Sequence, residues 1–277
     1  MTKTKTINQT MTNFKQKNIN DLSNQDWLNI LHQCANNADE TALHYFSQST
    51  VNVIQKADNS PVTLADRTIE TNIRQYFAAN FPDVGIIGEE YELTNTAADI
   101  KLIIDPIDAT SNFICGIPIF ACLLAIEKNK QIIAAVVSNG ATKERWAAAL
   151  NNGATYNNTP IAVSKIDTIA NAQAFYGSLF GREARGNQQQ LLNLLSFTKR
   201  QRGIGDFLMH MWVASGYGEF AIDFGLQPWD LAPLGLIVTE AGGTITAVNG
   251  DPFDIYEGSI LTSNGLFHSD LITKYNS

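Results

Sequence analysis

The sequence predicts a layered α/β sandwich, with helices covering mostly antiparallel sheets. Three observations carry that expectation. Apolar residues near the start repeat with helical spacing, at Leu28, Leu31, Ala35, Ala38 and Ala42 and again at Ile69, Ile73 and Phe77. Mid-chain, apolar runs are joined by short turns, Lys128-Asn129-Lys130 and Asn151-Asn152-Gly153, as in consecutive hairpins. From Ala172 onward, strand-like and helix-like segments alternate.

Taken in order, residues 1–20 are rich in Thr, Asn and Lys and hold no apolar core. They are expected to form a flexible extension, neither a signal peptide nor a membrane anchor. A helix follows over Asp21–Ser47, with Asp21 or Ser23 as its cap. Next come a strand over Ser49–Ala57, a turn at Asp58-Asn59-Ser60-Pro61 and a helix over Thr63–Asn80 that stops before Pro82. Strands are expected at Ile119–Glu127, Gln131–Ser138, Arg145–Leu150 and Ala154–Tyr156, with Ile161–Ser164 closing the first half. A boundary at Lys165-Ile166-Asp167 gives an N-terminal α+β half, 21–165, and a C-terminal α/β half, 166–277. The second half should hold strands at Ala172–Tyr176, Phe220–Asp223, Thr244–Val248 and Ser259–Thr262. Its helices are expected at Asn187–Ser196, at Asp206–Ser215, around Trp229-Asp230 and from Gly265. Ala241-Gly242-Gly243 suits a helix end that needs left-handed geometry.

With 277 residues and 44% hydrophobic content, the chain can bury a substantial core. A net charge of −8 offers no basic field for nucleic acid. No apolar run approaches membrane-spanning length. Cys34, Cys115 and Cys122 form no CxxC and no even set, so buried free thiols and a cytoplasmic location are expected.

Leu102-Ile103-Ile104 is short, continuous and rich in β-branched residues, like a strand covered on both faces. Pro106 cannot donate to a ladder, so the chain is expected to turn there. Asp105 and Asp108 at such an edge repel each other unless a cation or hydrogen-bond donors hold them. Mg²⁺ takes carboxylate and carbonyl oxygens, so Asp105, the Ile107 carbonyl and Asp108 could serve one metal cluster. Thr110 and Ser111 add hydroxyls beside it. The same residues also fit an Asx-turn capping a helix, and on this stretch alone both readings stand.

Two further stretches resemble parts of the same signature: Gly88-Glu89-Glu90, and Trp229-Asp230 running on to Glu240-Ala241-Gly242-Gly243. With Asp105-Pro106-Ile107-Asp108-Ala109-Thr110 they are similar to the motifs of the inositol monophosphatase family of Mg²⁺-dependent phosphatases, in the family's order. The resemblance runs from about Asp21 to the C-terminus and implies a five-layered αβαβα fold. It implies two or three Mg²⁺ ions held by Glu89, Asp105, the Ile107 carbonyl, Asp108 and Asp230. Glu89 and Thr110 would orient the nucleophilic water, with Asp66 of Thr63-Leu64-Ala65-Asp66 supporting Thr110. Asp66 also reads as a helix-start acid satisfying the dipole, and Glu90 as either a supporting or a solvated acid. The amides of Ala109 and Thr110 would hold the phosphate. Ala109 stands where the family has glycine; a φ tolerable for alanine and a working enzyme are expected.

For the substrate, Gly203-Ile204-Gly205-Asp206-Phe207 resembles the histidinol-phosphate phosphatases of the family, as do Cys115-Gly116-Ile117-Pro118 and Glu144-Arg145-Trp146. Asp206 and Asp223 would meet the substrate's ammonium and imidazole, although Asp206 also reads as a helix N-cap. Histidinol phosphate, a metabolite of histidine biosynthesis, is thus the expected ester. Inositol 1-phosphate, adenosine bisphosphate and a regulatory role without catalysis are the alternatives. A homodimer is expected by analogy alone.

Overall fold

A computed structural model describes residues 19–47, 53–55, 61–179 and 187–277. Most of the expected extension, the ends of the expected Ser49–Ala57 strand and the Asp58-Asn59-Ser60 turn lie outside the described residues. Helix α1 spans Asn24–Phe46 and starts later than expected, because Ser23 is its cap. Ser23 Oγ accepts the Asp26 N–H at 3.1 Å while the Asp26 carboxylate accepts the Ser23 N–H at 3.0 Å. Strands β1 (Val53–Gln55) and β2 (Pro61–Thr63) pair antiparallel. Helix α2 is Leu64–Asn80.

Strands β3 (Gly85–Gly88) and β4 (Ile100–Asp108) are parallel, and α3 (Thr110–Ile114) follows. The chain continues through β5 (Ala121–Lys128), β6 (Gln131–Asn139), β7 (Glu144–Ala149), β8 (Ala154–Tyr156) and β9 (Thr159–Pro160), completing a seven-stranded sheet in sequence order from β3 to β9. The strand expected at Ile161–Ser164 does not form. The Val163 N–H donates instead to the Ala241 carbonyl, which draws this segment off the sheet edge.

Beyond it lie β10 (Gln173–Tyr176), α4 (Gln188–Ser196), β11 (Arg200–Gly203), α5 (Asp206–Ala214), β12 (Phe220–Phe224), α6 (Pro228–Glu240), β13 (Thr244–Thr246), β14 (Ser259–Ser263) and α7 (His268–Tyr275). The five strands pair in the order β11-β10-β12-β14-β13. Arg200 and Arg202 lie on the edge strand β11, exposed to solvent.

Side-chain alternation explains how the layers stack. Leu102 and Ile104 pack with the α1 and α2 cluster, while Ile103 packs with Leu231 and Ala232 of α6. On α5, Phe207 and Met211 face Ala135 and Val137 of the larger sheet, and Met209 and Val213 face Phe175 and Ala221 of the smaller. The outer side of the smaller sheet is covered by Leu191 and Leu194 of α4 and by Leu271 of α7. The order is α1/α2, larger sheet, α5/α6, smaller sheet, α4/α7: a five-layered αβαβα sandwich.

β4 does not end at Pro106, contrary to expectation. Asp105 pairs with Leu123 and Asp108 with Ala121, so Pro106 and Ile107 bulge opposite one residue. A bulge asks no ladder hydrogen bond of proline, which is why the strand survives it. Cys34 and Cys122 are buried as expected, but Cys115 is exposed, because it caps the short α3 rather than entering the core. Among the described residues no helix is long and apolar enough to cross a membrane.

His210 is fully buried on α5, with Nδ1 2.9 Å from Thr262 Oγ1 and Nε2 without a partner among the described residues. Burial pushes its pKa down to about 3. The unfolded chain takes up this proton below about 6.5, the folded one only near the lowered value. Its contribution is therefore complete above pH 6.5 and is lost as pH falls. At pH 5 the loss is about 2 kcal/mol. In urea titrations, His210→Asn should lose less stability than wild type between pH 7 and pH 5; equal losses would contradict this assignment.

Candidate active site

Carboxylates arrive at one place from four separate stretches. Glu89 follows the end of β3, Asp105 and Asp108 bracket the β4 bulge, and Asp230 and Asp66 lie on the first turns of α6 and α2. Backbone amides hold each aspartate through one oxygen. Asp105 Oδ1 accepts the Ile107 N–H at 2.9 Å, and Asp230 Oδ2 accepts the Gln227 N–H at 2.8 Å. Asp108 Oδ2 accepts the Phe207 N–H of α5 at 2.7 Å, and Asp66 Oδ2 accepts the Thr63 N–H at 2.8 Å. Carboxylate oxygens of Asp105, Asp108 and Asp230 lie within 4.8 Å of one another.

The electrostatics follow from burial and crowding. Burial, then the charges of Glu89, Asp108 and Asp230, lift the Asp105 carboxyl well above its usual range. Burial, then Asp206 and Asp230, do the same to Asp108. Asp230 rises to about 7, chiefly by burial, with Glu89 adding to the effect. Asp66 rises to about 6, again by burial first. Glu89 stands outside the three-oxygen cluster, yet its charge acts on all three members. Crowded carboxylates, one buried and two partly so, are costly without a counter-charge, and an all-oxygen donor set suits a hard divalent cation. These residues fit such an ion.

Thr110, Asp66 and Asp206 neighbour this cluster. Thr110 Oγ1 donates to the Ile107 carbonyl at 3.0 Å. Its single proton is thus directed to Ile107 rather than to Asp66, whose Oδ1 has no partner among the described residues. Asp66 nevertheless closes a capping box with Thr63, so helix cap and cluster neighbour are one residue. Asp206 is not the N-cap: Gly205 is, and Asp206 opens α5 at φ +59° beside Asp108 and Asp230. Asp223 is buried at the end of β12, and a Cβ on Gly177 would overlap its Oδ1. The glycine at the β10 exit therefore makes room for that carboxylate.

Ala109 overturns one expectation. Its φ is +66° and its ψ +44°, the left-handed region, because the chain must reverse from the bulge into α3. For an L-residue this costs about 1–2 kcal/mol. Ala109→Gly removes that strain but loses a buried methyl and adds unfolded-state entropy, each worth about 0.5–1 kcal/mol. Unfolding free energy should therefore change by less than about 1 kcal/mol, with turnover within about threefold of wild type. A rise in turnover of a hundredfold would mean that alanine cripples the loop.

Two features went unread in the sequence. The Phe207 amide grips Asp108 across the layers, and no local signal announces it. Glu70, wholly buried on α2, accepts the Glu90 N–H at 2.9 Å. Its spacing of one helical turn from both Asp66 and Arg74 was the available signal.

An αβαβα fold whose strand and helix ends bring three carboxylates within reach of one cation defines the class as a metal-binding protein. Comparisons agree: the family model described as "Inositol monophosphatase family" matches residues 23–277. The chain belongs to the inositol monophosphatase family and is a phosphoric monoester hydrolase. It is 33% identical to a histidinol-phosphatase of Mycobacterium tuberculosis over 248 residues, covering 88% of this chain and 95% of that protein. To a histidinol-phosphatase of Streptomyces coelicolor it is 34% identical over 260 residues, covering 91% and 97%. Among solved structures, the extragenic suppressor protein suhB of Bartonella henselae is similar at a TM-score of 0.84 and 28% identity, covering 90% of this chain and 98% of that one.

Proposed function

We propose that the chain hydrolyses histidinol phosphate to histidinol, a step of histidine biosynthesis, with two or three Mg²⁺ ions as cofactor. The observation that carries this reading is the Phe207 N–H donating to Asp108 Oδ2 at 2.7 Å, which brings the preceding residue, Asp206, to the edge of the carboxylate cluster. Negative charge extends beyond the metal cluster onto the second half of the chain, where Asp223 is also buried. A substrate alcohol bearing an ammonium and an imidazole complements such a wall. The relatives named histidinol-phosphatase support the same ester.

In this reading Glu89, Asp105, Asp108, Asp230 and the Ile107 carbonyl hold the ions. When bound, Mg²⁺ supplies charge neutralisation for the phosphate and lowers the pKa of a water. Glu89 and Thr110 orient the attacking water in line with the leaving oxygen, and Asp66 borders the site from α2, its charge reaching Asp105. The amides of Ala109 and Thr110 bind the phosphate, and Asp206 and Asp223 bind the alcohol's cationic groups. Residues 21–165 thereby carry most metal ligands, while residues 166–277 add Asp230 and the specificity groups. The protein acts in the cytoplasm on a small metabolite, as a homodimer by analogy with its relatives.

The left-handed Ala109 motivates a second reading, a family member with impaired catalysis and a binding role. Phosphate release from histidinol phosphate, inositol 1-phosphate and adenosine bisphosphate, with and without Mg²⁺, separates these readings. Preference for histidinol phosphate is expected. Preference for inositol 1-phosphate would overturn the substrate, and no Mg²⁺-dependent release would favour the binding role.

A further inference from the structure

A buried carboxylate behind the site has no part in the mechanism above. Glu70 is 0% exposed on α2. Its Oε1 accepts from Arg74 Nε at 2.8 Å and lies 2.7 Å from Arg74 Nη2, while Oε2 takes the Glu90 N–H at 2.9 Å. The same carboxylate explains the glycine before Glu89. A Cβ on Gly88 would overlap Glu70 Oε1, stand 2.7 Å from Glu70 Cδ and 3.0 Å from Arg74 Nη2. One side chain therefore packs against the backbone of residue 88 and hydrogen-bonds that of residue 90. Arg74 extends the grip to the next residue, with Nη2 3.4 Å from the Tyr91 carbonyl and its guanidinium carbon 5.8 Å from the Tyr91 ring centroid.

Stability alone is a weak reason for this pair, since buried ion pairs often match apolar replacements in stability. An apolar side chain of equal size could not accept the Glu90 amide, however, and would leave that donor unsatisfied. Glu89, between the two held residues, exerts its charge on Asp105, Asp108 and Asp230.

We propose that Glu70, braced by Arg74, is a positioning residue: it holds the backbone on both sides of Glu89 and so aims the Glu89 carboxylate at the metal cluster. This rests on the reading of Glu89 as a metal ligand. Partners that orient ligands typically change metal affinity by about 10–100-fold when altered.

The test is calorimetric titration of Mg²⁺ into the full chain without substrate, for wild type, Glu70→Gln, Gly88→Ala, Glu89→Gln and the Glu70→Gln/Glu89→Gln pair, with turnover measured alongside. Glu70→Gln should weaken Mg²⁺ about tenfold, leaving the KM for the ester at saturating Mg²⁺ within about twofold. Gly88→Ala displaces the same carboxylate from the other side and should produce a similar loss, which keeps the test open if Glu70→Gln folds poorly. The double variant should bind Mg²⁺ no more weakly than Glu89→Gln alone. Additive losses, or wild-type Mg²⁺ affinity in both Glu70→Gln and Gly88→Ala, overturn the positioning role. Wild-type affinity in Glu89→Gln would instead overturn the ligand reading beneath it, and the positioning role with it.

Discussion

Asp105→Asn should lower Mg²⁺-dependent phosphate release by about a thousandfold or more, as expected when a ligand essential to charge stabilisation is removed. The same substitution should raise the melting temperature of the metal-free protein. Asp105 is buried among Glu89, Asp108 and Asp230, so its charge is opposed from all sides when no cation is present. The replacing amide keeps an oxygen for the Ile107 N–H and a donor for Asp230 while removing one charge. A gain of about 1–3 kcal/mol is expected from removing a poorly compensated buried charge. With Mg²⁺ present the order should reverse, because only wild type gains fully from binding. Phosphate-release assays and melts in chelator and in Mg²⁺ provide the readouts. Retained turnover would sink the mechanism, and a lower metal-free melting temperature would sink the electrostatic account.

The sign of the pH dependence provides a check on that account. Asp105 and Asp230 have carboxyl pKa values raised above their unfolded ones, so their ionisation opposes folding at pH 7. This destabilisation is relieved as pH falls through the raised values, about 7 for Asp230. Metal-free wild type should therefore gain stability from these groups on mild acidification, opposite to the trend from His210. Asp105→Asn should gain less.

Asp206→Asn should raise the KM for histidinol phosphate by about tenfold or more, while inositol 1-phosphate changes by less than about threefold. A charge-assisted hydrogen bond between a cation and a partly buried carboxylate is worth about 1.5–3 kcal/mol, and a neutral polyol gains less from it. Asparagine also tolerates left-handed geometry, so the φ of +59° at this position should not confound the result. Equal losses on both esters would mean that Asp206 acts through Asp108 rather than on the alcohol.

Much of this protein is written locally. The continuous apolar run around Ile103 specifies a strand covered on both faces, and Ser23 and Thr63 specify helix starts through reciprocal caps with Asp26 and Asp66. Asn151-Asn152-Gly153 specifies a hairpin turn, whose three amides are held by the carboxylate of Glu240. Resemblance in three motifs located Asp105, Asp108 and Asp230, because strand ends and first helical turns are where carboxylates project from the backbone. Each of these features, the distant Glu240 contact aside, depends on neighbours a few residues away.

What remained hidden depends on residues far apart in the chain. Whether Pro106 stops a strand or sits in a bulge was decided by how β5 pairs alongside it. Whether Ala109 takes positive φ was decided by the direction in which α3 must leave that bulge. The Phe207 amide meets Asp108 across 99 residues of sequence, which places Asp206 beside the carboxylates instead of at an ordinary cap. The sequence by itself determined the elements, their caps and the acidic residues at their ends. The tertiary structure decided which backbone amides and glycines hold those acids, because such contacts arise only when layers pack and carry no periodicity within any one stretch of chain.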